Sequence, residues 1–308
     1  MPRDAQMQAV VDGMAEAGAN ALSSMSPQQA RAVSEEGFAH FSGEPVADVE
    51  DREIPGPAGA LSIRIYRPTL ERPAPAVVYF HGGGWTICNI NTHDAPCRAM
   101  ANASGAVFIS VEYRLAPESK FPAAVDDCLA ATRCVAGHAG ELGVDPSRLG
   151  VGGDSAGGNL AAVVALLARD EGGPALAHQL LIYPATDFTV APAMVDDGAA
   201  VVLSSDDMAW FNGNYLAGSD DAKSPTASPT LAASHRDLPP ALVLTAEYDP
   251  LCPQGEKYAE VLQAAGVPVT SLRYDGLDHG FLHMSPVVDR AAQAVRDIGA
   301  HLRTTLVP

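Results

Sequence analysis

The chain contains 308 residues, of which 47% are hydrophobic and 18% charged; this composition is typical of a globular protein and excludes a disordered chain or a fibre. Its net charge of −18 offers no basic surface to phosphate groups, so we expect neither nucleic acid nor an anionic membrane as a partner. The five cysteines form no C-x-x-C pair, which argues against a zinc ribbon or a disulfide framework and favours a reducing, cytoplasmic compartment. The sequence also shows neither the apolar centre of a signal peptide nor a long apolar run.

Short apolar or alternating runs predict eight β-strands. They cover residues 46–54, 61–66, 76–80, 107–112, 148–152, 179–183, 241–246 and 269–274. In the second run Leu61, Ile63 and Ile65 alternate with other residues, as expected of a half-exposed antiparallel strand. The later runs are apolar throughout, which suits strands that are covered on both faces of a parallel sheet.

Helical stretches separate the later strands, at residues 122–139, 155–169, 253–265 and 286–304. The second stretch places one apolar stripe at helical spacing for docking on the sheet, formed by Leu160, Val163, Val164 and Leu167. Alternation of strand and helix predicts a parallel, doubly wound α/β sheet. The active site of such a sheet lies outside the carboxyl ends of its strands.

Two segments do not fit this alternation. Residues 1–40 have a helical pattern, and residues 187–236 are rich in Asp, Ser, Ala and Pro. We predict a single domain over residues 1–308, in which these segments form a cap over a catalytic core of about 45–186 and 237–308. A solvated decoration at the edge of the domain is the alternative.

The segment Gly153-Asp154-Ser155-Ala156-Gly157 matches the pattern G-x-S-x-G between an apolar strand and an amphipathic helix. This is the setting of a nucleophile elbow, in which a sharp turn exposes a serine hydroxyl above the sheet. Glycines on either side of such a serine leave room for neighbouring backbone. Ser155 is therefore the candidate nucleophile, and a glycine-rich turn without catalytic function is the alternative.

A second motif, His81-Gly82-Gly83-Gly84-Trp85, directly follows the third predicted strand. Three successive glycines leave backbone N–H groups uncovered by side chains, and such groups can stabilise an oxyanion. Phosphate binding is the alternative function of a glycine-rich loop. The sequence argues against it, because no G-x-x-x-x-G-K-[ST] or G-x-G-x-x-G pattern follows and no lysine lies nearby.

With these two motifs the sequence resembles the bacterial hormone-sensitive-lipase family (family IV) of α/β-hydrolase carboxylesterases. The resemblance extends from about residue 45 to the C-terminus, through VEYRLAPE at 111–118, FPAAVDDC at 121–128, LPPALVLTAEYDPL at 238–251 and DHGFLHM at 278–284. It implies an eight-stranded, mostly parallel sheet flanked by helices, with a helical cap. That fold agrees with the strands predicted from the residue pattern.

The resemblance also indicates the partners of Ser155, which spacing alone could not select. An α/β-hydrolase carries its nucleophile, acid and histidine in that chain order. Asp249 and His279 follow the last two predicted strands, so both would reach the same edge of the sheet as Ser155. His279 would then act as general base and Asp249 would orient its imidazole. Without the motif match, an Asp before Pro is a common turn former and a His before Gly can simply end a strand.

By the same resemblance, Gly83, Gly84 and Ala156 would donate backbone N–H groups to the oxyanion. Asp154 is expected to order the neighbouring loop rather than to react. Two further carboxylates compete with Asp249 for the place beside the histidine: Glu247 and Asp278. The preference for Asp249 rests on the D-P-L motif of the family.

The sequence departs from the family after D-P-L, where a stretch rich in Arg, Asp and Glu is common and Cys252-Pro253-Gln254-Gly255 stands here. The missing carboxylate leaves the ordering of the acid loop open. Cys252 has no histidine at a recognisable spacing, so we expect a semi-buried rather than a reactive thiol. A metal hydrolase is disfavoured because the remaining histidines form no H-E-x-x-H pattern: His93, His138, His178, His235 and His283.

The sequence thus predicts a serine carboxylesterase that hydrolyses short- to medium-chain acyl esters through an acyl-enzyme, with no metal or diffusible cofactor. Its partner is a small-molecule ester, and a homodimer stays open. Four residues are expected to contact the substrate, with simple packing as the alternative: Trp85, Met208, Phe211 and Leu282. An amidase or acyltransferase using the same site, and a non-catalytic binding module on the same fold, are the alternative functions.

Overall fold

The computed structural model describes residues 2–16, 21–38, 41, 43–191 and 202–306. The predicted cap segments, 1–40 and 187–236, therefore lie partly outside the described residues, and the division into cap and core stays a prediction. Over the described ranges, none of the helices has the combination of length and apolar composition that is needed to cross a bilayer.

One eight-stranded sheet forms the centre of the molecule. Its strands are β1 Asp48–Gly56, β2 Gly59–Arg67, β3 Ala74–Phe80, β4 Val107–Val111, β5 Val144–Asp154, β6 His178–Ile182, β7 Ala241–Tyr248 and β8 Val269–Asp278. Across the sheet the order is β1-β2-β4-β3-β5-β6-β7-β8. The hairpin β1-β2 and the pair β2-β4 are antiparallel, whereas the other neighbours are parallel. The predicted eight-stranded, mostly parallel α/β sheet is confirmed.

The described residues also form nine α-helices. They are α1 Ala5–Glu16, α2 Pro27–Phe38, α3 Asp94–Ser104, α4 Ala123–Gly137, α5 Ala139–Leu142, α6 Ala156–Asp170, α7 Ser205–Tyr215, α8 Cys252–Ala264 and α9 Asp289–Thr305. The predicted stretch 122–139 ends two residues early, and a separate short helix follows it. The residue pattern did not predict α3. Gly105, which ends this helix with a left-handed φ of 76°, was the available signal, because glycine is common at helix C-termini.

Helices cover both faces of the sheet, because the parallel strands are apolar on both sides. Every residue of β3 is buried. On one face α4, α6 and α8 pack against the strands, and on the other face α1, α3 and α9 do so. The predicted stripe of α6 docks as expected, since Leu160, Val163 and Val164 are fully buried. Each such side chain contributes about 1.5–3 kcal/mol of transfer free energy.

The carboxyl ends of three strands bring the predicted functional residues to one edge of the sheet. Ser155 directly follows β5, Asp249 directly follows β7 and His279 directly follows β8. The three strands lie on the same side of β3 in the sheet order, with β6 between β5 and β7. Residues far apart in the chain therefore meet above the sheet, where ligands of open α/β sheets bind.

Candidate active site

Ser155 occupies the sharp turn between β5 and α6. Its φ of 54° and ψ of −117° lie in a region that non-glycine residues rarely adopt, and such strain is typical of functional sites. The N–H of Ser155 donates a 2.8 Å hydrogen bond to the carbonyl of Ile182. A Cβ at Gly157 would lie 1.8 Å from the carbonyl oxygen of Phe80, and one at Gly153 would lie 2.3 Å from the carbonyl of Gly157. The two glycines of the motif are therefore required by the space around the turn.

His279 links the serine to a carboxylate. Its Nε2 lies 2.9 Å from Oγ of Ser155, and its Nδ1 lies 2.8 Å from Oδ2 of Asp249. The other oxygen of Asp249 accepts a 2.7 Å hydrogen bond from the N–H of Leu251, so both carboxylate oxygens are held. Asp249 is 1% exposed and His279 is 8% exposed. This chain of contacts can transfer a proton from the hydroxyl to the imidazole while the carboxylate orients the ring.

The two competing carboxylates have other partners. Asp278 forms a two-pronged ion pair with Arg3, with distances of 2.8 and 3.0 Å. Burial raises the pKa of Asp278 to about 6, although Arg3 acts in the opposite direction. Glu247 accepts a 2.8 Å hydrogen bond from the N–H of Gly276. The structure therefore places Asp249, rather than either neighbour, against the imidazole.

The loop after β3 approaches the serine with its backbone. Gly83 and Gly84 have φ angles of 107° and 55°, which only glycine adopts without strain. A Cβ at Gly84 would lie 2.1 Å from the ring of Phe211. Among the described residues, no group accepts a hydrogen bond from the N–H groups of Gly83, Gly84 or Ala156. These three donors are therefore free to bind an oxygen of a ligand.

Comparison with known proteins identifies the family of the chain. Residues 77–283 match a family model described as α/β hydrolase fold. Over 267 residues the chain is 46% identical to the carboxylic ester hydrolase LipN of Mycobacterium tuberculosis, covering 84% of this chain and 71% of that protein. The chain belongs to the α/β-hydrolase family. The predicted resemblance to its hormone-sensitive-lipase branch is confirmed.

Other relatives of this α/β-hydrolase are also esterases by name. The chain is 38% identical to an ethyl acetate hydrolase of Pseudomonas putida, over 76% of both chains. A solved structure of a hyperthermophilic esterase from Pyrobaculum calidifontis superposes with a TM-score of 0.95 at 43% identity, over the full length of both chains. The predicted enzyme class, a carboxylic ester hydrolase, is confirmed by these similarities.

The α/β-hydrolase has a cavity of about 710 Å³ that reaches Ser155 and His279. Trp85, Met208 and Phe211 line it, as the sequence analysis expected. Leu282 does not fit its predicted role: it is fully buried in the cluster of residues that packs α9 against the sheet, and it is not among the lining residues. Leu282 lies three residues after His279, in a short helical turn that directs its side chain into the core.

The acid loop is ordered by an amide in place of the missing carboxylate. Oε1 of Gln254 accepts hydrogen bonds of 3.1 Å from the N–H groups of both Thr186 and Asp187. These contacts tie the start of α8 to the segment that follows β6. Cys252 is buried, and burial raises the pKa of its thiol to about 12, with Glu256 adding to the shift. This agrees with the expectation of an unreactive thiol.

Asp154 connects the elbow to the glycine-rich loop, which fits its expected ordering role. It is 3% exposed, and its carboxylate accepts hydrogen bonds from Tyr79 Oη at 2.8 Å and from the N–H of Gly82 at 3.0 Å. Nε2 of His93 lies 3.2 Å from the same carboxylate. Burial opposes ionisation of Asp154, but the contacts with His93 and the hydroxyl of Tyr79 outweigh it and hold the pKa of Asp154 well below its usual range.

A second histidine contacts the one beside this carboxylate, which the sequence pattern did not predict. Nε2 of His283 lies 3.2 Å from Nε2 of His93, across a separation of 190 residues. Burial, followed by the influence of His93, lowers the pKa of His283 to about 3. No spacing rule could have found this contact, because the two residues belong to loops after β3 and β8.

Proposed function

We propose that this protein hydrolyses short- to medium-chain acyl esters, with Ser155 as nucleophile, His279 as general base and Asp249 as the carboxylate that orients the base. The proposal is carried by one observation, the continuous contact from Oγ through the imidazole to the carboxylate. The arrangement matches the roles of a serine-hydrolase triad.

In the proposed reaction, Oγ of Ser155 attacks the ester carbonyl carbon while its proton moves to Nε2 of His279. The carbonyl oxygen becomes negative and accepts hydrogen bonds from the N–H groups of Gly83, Gly84 and Ala156. Collapse of this intermediate breaks the bond to the alcohol oxygen, which takes the proton from the imidazolium. Water then attacks the acyl-enzyme by the same route, releasing the acid and restoring the serine.

The cavity supports a small, largely apolar substrate. Its volume of about 710 Å³ lies within the usual range of small-molecule sites. Apolar side chains of α1, α2 and α7 face it, among them Val10, Val33 and Met208. We propose that these helices belong to a cap over the strand ends, which would restrict the length of the acyl chain. The ethyl acetate hydrolase among the relatives is consistent with a short acyl group.

Replacement of the nucleophile and of the acid tests the proposed triad. We expect Ser155→Ala to lower kcat for an ester substrate by about 10⁶-fold. Asp249→Asn should lower it by about 10⁴-fold, because the imidazole loses the group that fixes its tautomer. Both variants should keep the wild-type circular dichroism spectrum. Wild-type turnover by Ser155→Ala would contradict the proposed nucleophile.

Rates over a series of p-nitrophenyl esters of increasing acyl length test the substrate class. We expect kcat/KM to be highest for short or medium chains and to fall when the chain exceeds the cavity. Matched anilides measure the amidase alternative, and added alcohol acceptors measure acyl transfer. Binding of esters without turnover of any would favour the non-catalytic module instead.

We further propose a cytoplasmic location. All five cysteines are free thiols, which suits a reducing compartment. Sedimentation velocity of the purified protein measures its oligomeric state and so tests whether it forms a homodimer.

A further inference from the structure

Three potential metal ligands that the proposed hydrolysis does not use converge beside Ser155. They are His93, Asp154 and His283, which are 1%, 3% and 7% exposed. One nitrogen or oxygen atom from each lies within 4.8 Å of the others. All three residues also line the substrate cavity, so the cluster can be reached from that cavity.

The hydrogen bonds of Thr92 favour one tautomer of His93. Oγ1 of Thr92 lies 2.8 Å from the carbonyl of Asn89, which can only accept. If the hydroxyl donates its single hydrogen there, it accepts from Nδ1 of His93, 3.0 Å away, and Nδ1 carries the proton. In the neutral ring Nε2 then presents its lone pair to the carboxylate of Asp154 and to Nε2 of His283.

The lone pair of His93 and the carboxylate share the N–H of Gly82, which lies 3.0 Å from Oδ1 of Asp154 and 3.2 Å from Nε2 of His93. The hydroxyl of Tyr79 also donates to the carboxylate, and Nε2 of His283 lies within hydrogen-bond distance of Nε2 of His93. Electron-pair donors held this closely are stabilised by a cation placed between them, and a metal ion would be such a cation.

We propose that His93, Asp154 and His283 form a binding site for a divalent transition metal of the zinc class, and that occupation of this site inhibits the esterase. Two imidazoles and one carboxylate are a common ligand set for zinc. Ligand atoms around a tetrahedral zinc ion are about 3.3–3.6 Å apart, given metal–ligand bonds of about 2.0–2.2 Å. Nε2 of His93 lies 3.2 Å from Nε2 of His283, and 3.2 and 3.4 Å from the two oxygens of Asp154. His283 and Asp154 are not in direct contact, but their ligand atoms lie within 4.8 Å of each other, so a bound ion would draw them closer together.

Inhibition follows from the position of the ligands. Asp154 directly precedes the nucleophile, and its carboxylate holds the glycine-rich loop through the N–H of Gly82. A metal ion bound to that carboxylate competes for the electron pairs that now accept from Gly82 and Tyr79. It also adds a charge and a bound water to the wall of the cavity next to Ser155. Both effects act on the loop whose N–H groups are proposed to bind the oxyanion.

Side-chain pairs elsewhere among the described residues could also bind zinc, and two that contain histidine serve to separate them from this site. Sγ of Cys134 on α4 lies 3.6 Å from Nδ1 of His138, which directly follows the helix. The rings of His178 and His301 have centroids 5.0 Å apart. Neither pair lines the cavity, so each provides a matched control.

The test measures zinc binding by calorimetry and ester hydrolysis at increasing ZnCl₂, for the wild-type chain and three variants. His283→Phe removes one ligand and keeps a ring against Phe38, which lies 4.2 Å away between ring centroids. We expect this variant to lose more than about 100-fold in zinc affinity, because mutation even of the residues that only orient a metal ligand costs about 10–100-fold, and to need correspondingly more zinc for inhibition. His301→Phe and Cys134→Ser should keep the wild-type inhibition constant. Addition of EDTA should restore wild-type activity.

Two results would overturn the proposal: wild-type chain that neither binds nor is inhibited by zinc, and a folded His283→Phe variant with unchanged zinc affinity and inhibition. If His283→Phe does not fold, the proposal is tested by adding Co²⁺ to the Cys134→Ser protein and measuring its visible absorption and ester hydrolysis. Intense visible bands of four-coordinate Co²⁺, with loss of ester hydrolysis in step, support the site. The weak bands of six-coordinate Co²⁺, or absence of inhibition, contradict it.

Discussion

At the scale of single residues, the site depends on glycines that tolerate no side chain. Gly84 has a left-handed φ of 55°, and a Cβ at this position would overlap the ring of Phe211. Its backbone therefore packs directly against the Phe211 side chain of α7. The N–H groups of Gly83 and Gly84 can bind the oxyanion only if the backbone of this loop keeps its conformation. A single methyl group at Gly84 therefore disturbs the proposed oxyanion site without touching the triad.

We expect Gly84→Ala to lower kcat by about 10²–10³-fold, the usual effect of losing one oxyanion donor. The added Phe211→Ala change should recover part of this loss, because it removes the clash but not the backbone strain. Gly172→Ala is the matched control, since Gly172 has a φ of 77° and open space around its Cβ position. It should lower the melting temperature slightly and leave kcat unchanged. Equal kcat values for Gly84→Ala and the wild type would refute the role of this amide.

At the scale of elements, residues 3 and 4, which precede α1, bind to the end of β8. Arg3 pairs with Asp278, the residue before His279, with side chains 6% and 0% exposed. The guanidinium also lies 4.8 Å from the centre of the Tyr248 ring. The N–H of Asp4 donates a 2.9 Å hydrogen bond to the carbonyl of Gly276. These contacts hold α1, which lines the cavity, against the strand that carries the proposed base.

The ion pair predicts a pH-dependent effect of Arg3→Ala on the free energy of unfolding. Burial raises the pKa of Asp278 from 3.8 to about 6, with Arg3 opposing the shift and Asp249 adding to it. A raised carboxyl pKa favours the folded state at low pH, and this contribution is lost as pH rises from about 4 to 6. Without Arg3 the pKa rises further, so the loss is larger above about pH 6, where the carboxylate would be buried without its partner.

Urea denaturation of Arg3→Ala at about pH 8 should therefore show a cost of about 3 kcal/mol, and a smaller cost at about pH 5. Arg296→Ala serves as control, because within the described part of the chain the guanidinium of Arg296 hydrogen-bonds only to Gln293, on its own helix. Its effect should be small at both values. A cost of Arg3→Ala that is independent of pH would mean that packing on Tyr248, rather than the charge pair, holds the segment.

At the scale of the whole molecule, the net charge of −18 opposes the compact state through self-repulsion. We expect the melting temperature at neutral pH to rise when NaCl is increased from about 20 to about 300 mM, because the Debye length falls below the spacing of surface charges. Near the isoelectric point, which is about 4.7, the same addition should have little effect. A melting temperature that falls with salt at neutral pH would show that favourable ion pairs outweigh the repulsion.

The residue pattern predicted most of the fold, because strand period, helix period and glycine turns are local properties. All eight strands were found to within a few residues at each end, as were α4, α6, α8 and α9; α3 was missed. Motif order also identified Ser155, Asp249 and His279 through the family resemblance. Leu282 was wrongly expected in the cavity, since the path of the turn after His279 decides where its side chain lies.

The sequence by itself determined the class of fold and the enzyme class, and it named Ser155, Asp249 and His279 as candidates for the triad. Only the tertiary structure decided that Asp249, rather than Asp278 or Glu247, contacts the imidazole, and that Arg3 partners Asp278. It also decided that His283 lies 3.2 Å from His93, which itself contacts the carboxylate of Asp154. The physical reason is that sheet order brings together loops that are distant in the chain, and contact distances within those loops depend on packing rather than on spacing in the sequence.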